Sequence, residues 1–181
     1  MKNFVYGKLL GDGTLEKRKK LTHNSRLCFT HKIENNDYVI DCYKKIHNFC
    51  NKPIIRTMKC QFKNRPTYYI KVGEVKSKSL PLFTELREKW YPNDKKTLPE
   101  DLEQIFDELS LAIWYQDDGY IHEKLTSTDI VFCTDNFTEA EVDRLVDMLN
   151  KKFNLKAKKS KRNQKCFRIR IGHKDKVETY K

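Results

Sequence analysis

The feature that most constrains this chain is an internal repeat. "YGKLLGDGTL" (6–15) and "IWYQDDGYI" (113–121) are both apolar runs that stop at Asp-Gly. Asp12 matches Asp118 and Gly13 matches Gly119, each pair 106 residues apart. Downstream, residues 26–49 parallel residues 130–153, with Thr30 on Thr134 and Phe49 on Phe153 at an offset of 104. A third block pairs "TYYIKVG" (67–73) with "CFRIRIG" (166–172). Similar blocks in the same order mean a tandem pair of like units, not one continuous fold.

Each unit reads as helix, strand, strand, helix, strand, strand. A short helix ends in Asp-Gly. Two strands follow, at 15–20 with 26–30 and at 120–122 with 129–133. The next helix of the second unit opens with a capping box, Thr138 with Glu141, and a staple of Phe137 against Val142. Val142, Leu145, Val146, Leu149 and Phe153 then share one face, as Val39, Tyr43, Ile46, Phe49 and Cys50 do in the first unit. In "FRIRI" (167–171), Phe167, Ile169 and Ile171 alternate with Arg168 and Arg170, so one sheet face packs and the other is cationic. The fold class is α+β, two pseudo-twofold-related αββαββ units. The first spans 1–109 with a helical linker and the second 110–181, short at its C-terminal end.

The net charge of +12 on 181 residues favours a polyanionic partner, and basic residues interleave with aromatics and β-formers. The six cysteines form no CxxC pair, which argues against structural zinc. No secretory leader opens the sequence and no apolar run reaches membrane-spanning length. Reduced thiols in an intracellular compartment are expected: a bacterial or phage-host cytoplasm, or an organelle matrix.

The chemistry concentrates at the two repeated Asp-Gly ends. Gly7 and Gly11 sit four apart on the first helix and leave one side without bulk, so a second helix backbone can approach. If the two helices pair side by side, Asp12 and Asp118 emerge together at their C-terminal ends. The carboxylates then repel each other and face the negative ends of the helix dipoles. A hard divalent cation relieves both costs, and Mg²⁺ suits oxygen ligands plus water. Trp90, Trp114 and Tyr115 lie in apolar helical runs and read as core. The five histidines are scattered, with no HxxxH or HNH-like spacing, so none is assigned a catalytic role.

The paired "GKLLGDG" and "LAIWYQDDG", each followed by strand, strand and helix, resemble the LAGLIDADG homing endonucleases. The likeness is to the monomeric, two-motif members encoded by introns and inteins. "FCTDNFTEAEVDRLVDMLNKKFNL" after the second motif and "DKKTLPEDL" (94–102) before it are similar to that branch. The resemblance covers nearly the whole chain. It implies an antiparallel DNA-binding saddle around a central pair of LAGLIDADG helices, intron homing as a mobile element, and cleavage of both strands of a long target with Mg²⁺, for which Mn²⁺ can substitute. It carries metal binding and catalysis to Asp12 and Asp118, with Asp117 a neighbouring helix-end residue, and a phosphate-stabilising or water-polarising role to Lys96.

DNA contacts are expected from Arg18, Lys20, Arg56, Lys59, Lys63, Arg65, Lys71, Lys158, Lys161, Arg168 and Arg170 on the sheet faces. Double-stranded DNA is the expected partner of a monomer, with no membrane. The sequence departs from the motif at Lys8 and Ile113, and the second half has no counterpart of Lys96. The alternative is a nucleic-acid binder that does not cut, such as an intron-RNA maturase, or a truncated enzyme that nicks.

Overall fold

A computed structural model describes residues 1–17, 23–61, 65–123, 128–164 and 166–172. Packing divides the chain into two compact units, Met1–Glu88 and Lys89–Lys181. The boundary after Leu109 expected above belongs to the sequence repeat, whereas these units follow contacts.

The first unit runs α1 (Lys2–Leu10), β1 (Thr14–Glu16), β2 (Arg26–Lys32), α2 (Asn36–Ile46), β3 (Ile54–Cys60), β4 (Tyr68–Lys76) and α3 (Pro81–Trp90), which continues into the second unit. Its strands form one antiparallel sheet in the order β1-β2-β4-β3. The second unit runs α4 (Leu102–Ile105), α5 (Glu108–Asp118), β5 (Gly119–Glu123), β6 (Thr128–Cys133), α6 (Glu139–Phe153), β7 (Ala157–Lys161) and β8 (Phe167–Ile171). Its antiparallel sheet has the equivalent order β5-β6-β8-β7. The expected αββαββ sequence of elements is thus present twice.

Two helices, α5 and α6, start where side chains satisfy the first backbone N–H groups. Thr138 and Glu141 form the expected capping box on α6, with Phe137 buried just before it. Asp107 and Ser110 form a second one on α5, which the sequence reading missed. On α6, Val142, Leu145, Met148 and Leu149 are buried, and Ile169 and Ile171 of β8 are buried in the same unit. Trp114 lies 4.4 Å from Phe132 and edge-on to Phe106, centroid to centroid. On α2, Val39, Cys42 and Ile46 are buried. Tyr43, expected on that face, is only half-buried, and α2 stops at Ile46, before Phe49.

The strand ladders correct the repeat alignment. Thr14 pairs with Cys28 and Tyr120 with Val131. Phe29 is therefore equivalent to Phe132 and His31 to Thr134, an offset of 103 residues where the sequence match gave 104. The helix faces agree: Val39, Cys42 and Ile46 become Val142, Leu145 and Leu149. The third block also shifts. Phe29 faces Val75, and its equivalent Phe132 faces Ile169, so Val75 matches Ile169, not the pairing that equates Gly73 with Gly172.

Candidate functional site

In the first motif the helix ends earlier than expected. α1 stops at Leu10, and Asp12 lies in the turn beyond it. Phe4 to Leu10 are all buried, so no face of this helix is left to water. The Gly13 N–H donates to the Lys8 carbonyl at 2.7 Å, folding the chain back over the helix end. A Cβ on Gly13 would stand 2.6 Å from that carbonyl oxygen. The glycine is thus required by space, since none of the described glycines has positive φ. Asp12 emerges at this point with 44% of its side chain exposed.

Beneath Asp12 is a cluster that the sequence did not predict. His31, on β2, has Nδ1 3.4 Å from Asp12 Oδ2, and its own side chain is 7% exposed. The Lys8 Nζ lies 3.1 Å from the other ring nitrogen, Nε2. It also donates to the Tyr38 hydroxyl at 3.2 Å. The ammonium sits over two rings, 4.4 Å from the Phe29 centroid and 4.5 Å from that of Tyr38. Lys8 is fully buried. The available sequence signal was a lysine at an apolar position of a buried helix, which demands partners.

In the second motif α5 continues through Asp118, and Gly119 is its C-cap, donating to the Tyr115 carbonyl. A Cβ on Gly119 would lie 2.2 Å from the Tyr115 ring and 2.5 Å from its carbonyl oxygen. Asp117 and Asp118 are both half-buried. Trp90 and Trp114 are fully buried; Tyr115 is half-buried and edge-on to Phe132. Of the packing glycines, Gly7 is buried within α1 and accepts from the N–H of Gly11, its C-cap.

Lys96 is half-buried in the loop before α4. That loop is held in place. The Thr97 N–H donates to the Trp90 carbonyl at 2.8 Å, and the Leu98 N–H donates to Glu141 Oε1 at 3.0 Å. Arg144 of α6 forks onto Glu103 at 2.6 and 2.5 Å and also donates to the Pro99 carbonyl at 2.8 Å. The bonded guanidinium holds the Glu103 carboxyl below its ordinary range.

The cationic candidates divide between sheet faces. Gly73 lies against Val39 of α2, so by alternation Lys71 and its cross-strand neighbour Thr57 look to the helix side, with Lys59. Arg56, opposite Val72, looks to the open side with Glu74. There Arg56 and Lys76 flank the buried Glu74 carboxylate at 2.9 and 2.7 Å. Arg65, Lys59 and Lys71 are exposed. In the second unit Lys158, opposite Arg170, shares the open face with Arg168, whereas Lys161, opposite Phe167, does not. Arg168 bonds Asp135 and the Tyr120 hydroxyl, and Arg170 bonds Ser160 and Asp129. Bonding to Arg168 lowers the Asp135 pKa. Arg18, Lys20 and Lys63 lie outside the described residues.

A family model matches residues 2–177, nearly the whole chain, and its description is the LAGLIDADG DNA endonuclease family. The chain belongs to that family. Its LAGLIDADG relatives include the cytochrome b mRNA maturase bI2 of Debaryomyces hansenii, 34% identical over 159 residues. The match covers 87% of this chain and 58% of the maturase, so the chain spans little more than half of that protein's length. The DNA endonuclease I-ChuI of Chlamydomonas applanata is 24% identical over 177 residues, covering 93% of this chain and 79% of that one. Among solved structures, the homing endonuclease I-WcaI bound to its DNA recognition sequence superposes with a TM-score of 0.83 at 27% identity, covering 98% of this chain and 77% of that one. LAGLIDADG membership accounts for the doubled αββαββ fold. Among the described residues, no helix is long and apolar enough to cross a membrane.

Proposed function

We propose that this chain is a site-specific, metal-dependent DNA endonuclease of the homing type, acting as a monomer on a long double-stranded target. One observation carries the reading: each unit presents an aspartate, Asp12 or Asp118, at the C-terminal end of its motif helix, at equivalent positions of the repeat. The likeness to I-WcaI, a homing endonuclease bound to DNA, supports it.

Asp12 and Asp118 are assigned as the metal carboxylates. Their oxygens suit a hard cation such as Mg²⁺, with Mn²⁺ as a substitute. The 44% exposure of Asp12 leaves it open to a hydrated ion. The partial negative charge of a helix C-terminus adds to the pull on a cation. A divalent ion bound there would activate water and stabilise charge on the scissile phosphate. Lys96, on its braced loop, is assigned to the phosphate. Arg56, Lys59, Arg65, Lys71, Lys158, Lys161, Arg168 and Arg170 are assigned to DNA, with Arg18, Lys20 and Lys63. Phosphate contacts from these groups make affinity strongly salt-dependent.

The test is incubation with a randomised duplex library, with and without Mg²⁺, followed by sequencing of cut ends. Recovery of one recurrent sequence, cut only with metal, is the expected result. A library left uncut while binding stays salt-sensitive overturns the nuclease assignment.

The second reading is an RNA maturase that binds intron RNA without cutting DNA. It is favoured by the 34% identity to the bI2 maturase. Stimulation of intron splicing by the purified chain, with no DNA cleavage, would select it.

A further inference from the structure

We infer that Lys8 is a positioning residue whose buried ammonium fixes the tautomer of His31, so that the ring turns its Nδ1–H toward the Asp12 carboxylate. The functional weight of this rests on the metal role proposed for Asp12; the tautomer itself does not.

A lysine ammonium has three donors and no acceptor. The His31 Nε2, 3.1 Å from Lys8 Nζ, must therefore accept. In a neutral imidazole the proton then sits on Nδ1, the nitrogen that faces Asp12 Oδ2 at 3.4 Å. The ammonium is itself held in place. The Tyr38 hydroxyl accepts a second of its protons, and the rings of Phe29 and Tyr38 lie within 4.5 Å. Three elements of one unit thus set one orientation: α1 gives Lys8, β2 gives His31 and Phe29, and α2 gives Tyr38. The result is an N–H aimed at one oxygen of the carboxylate, which restricts its rotation and leaves the other oxygen outside this contact.

Packing alone does not call for a lysine here. The repeat-equivalent residue is Trp114, whose indole lies 4.4 Å from Phe132, just as the Lys8 Nζ lies 4.4 Å from Phe29. The position equivalent to His31 is Thr134, whose hydroxyl donates to the Phe167 carbonyl at 2.6 Å. The second unit fills the same places with an indole packed on a ring and a hydroxyl that donates to the backbone. In the first unit they are filled by a cation and an imidazole that point on to the aspartate.

The test is long-range ¹H–¹⁵N NMR of the metal-free, DNA-free protein labelled at histidine nitrogen, with His31→Gln used to assign the His31 signals. The expected wild-type spectrum has a protonated Nδ1 and a bare Nε2 on His31. In Asp12→Ala, shown to be folded by its melting curve and amide spectrum, the His31 proton is expected to stay on Nδ1, because Lys8 still donates to Nε2. A wild-type ring protonated at Nε2 alone overturns the inference, whether or not the variant folds. So does an Asp12→Ala protein in which the His31 proton moves to Nε2. Neither outcome depends on DNA cleavage, so failure of the nuclease assignment would be read separately.

Discussion

Lys8 in the first unit stands where Trp114 stands in the second, each 4.4 Å from the ring of an equivalent phenylalanine. One place in a repeated fold is thus filled by a charge and by an indole. Both side chains are fully buried, but their energetics differ. Trp114→Ala removes a large apolar group from a packed interior and is expected to cost about 3–5 kcal/mol. Lys8→Met removes a desolvated cation but takes the donor from the buried His31 Nε2, and is expected to cost less, about 1–3 kcal/mol. Denaturant melts of the two variants check this; a Lys8→Met loss as large as that of Trp114→Ala would contradict it.

The two motif glycines are required for space. Ala at Gly119 meets the Tyr115 ring at 2.2 Å, and Ala at Gly13 meets the Lys8 carbonyl at 2.6 Å. Each substitution is expected to destabilise by about 1–3 kcal/mol through overpacking. Melting temperatures give the measurement. Tyr115→Ala should partly rescue Gly119→Ala, although the carbonyl contact at 2.5 Å remains.

The thiols should react in order of burial. Burial pushes the Cys28 thiol up to about 12 and the Cys50 thiol up to about 11, and Cys42 is fully buried. Cys60 and Cys166 are half-buried. Alkylation at neutral pH, followed by mass mapping, is expected to label Cys60 and Cys166 first and to spare Cys28, Cys42 and Cys50 until unfolding.

Acid should weaken two cationic clamps of the second unit in the same direction. The bonded Arg168 lowers the Asp135 pKa, and Arg144 lowers that of Glu103. A carboxylate with a lowered native pKa adds stability above its unfolded value, and that stability is lost as pH falls through the native one. Stability is therefore expected to be flat from neutral pH to about pH 5 and to decline below it, where unfolded carboxylates begin to take up protons. Asp135→Asn should flatten part of that decline in melts recorded against pH.

Much of this was legible in the sequence because periodicity survives the repeat. The αββαββ order, the Thr138–Glu141 box and the Val142, Leu145, Leu149 face follow from spacing alone. The register did not. A threonine in each block fixed the offset at 104, whereas the ladders and buried faces require 103. Tyr43 was placed in the core by its apolarity, but the smaller Cys42 is the residue that α2 buries. The cationic faces were read as free charge; Arg168 and Arg170 are bonded to Asp135 and Asp129, which no local pattern announces. His31 was passed over because its meaning depends on Lys8, 23 residues away, and on a strand register that places them together.

The metal role proposed for Asp12 and Asp118 is the step on which DNA cleavage would depend. It is tested most directly by single-turnover cleavage of the selected target by Asp12→Asn and Asp118→Asn, each compared with wild type across Mg²⁺ concentration, with DNA affinity measured in parallel. Both variants are expected to bind the target as wild type does and to lose double-strand cleavage. Double-strand cleavage that persists in either variant at the wild-type rate would contradict the account.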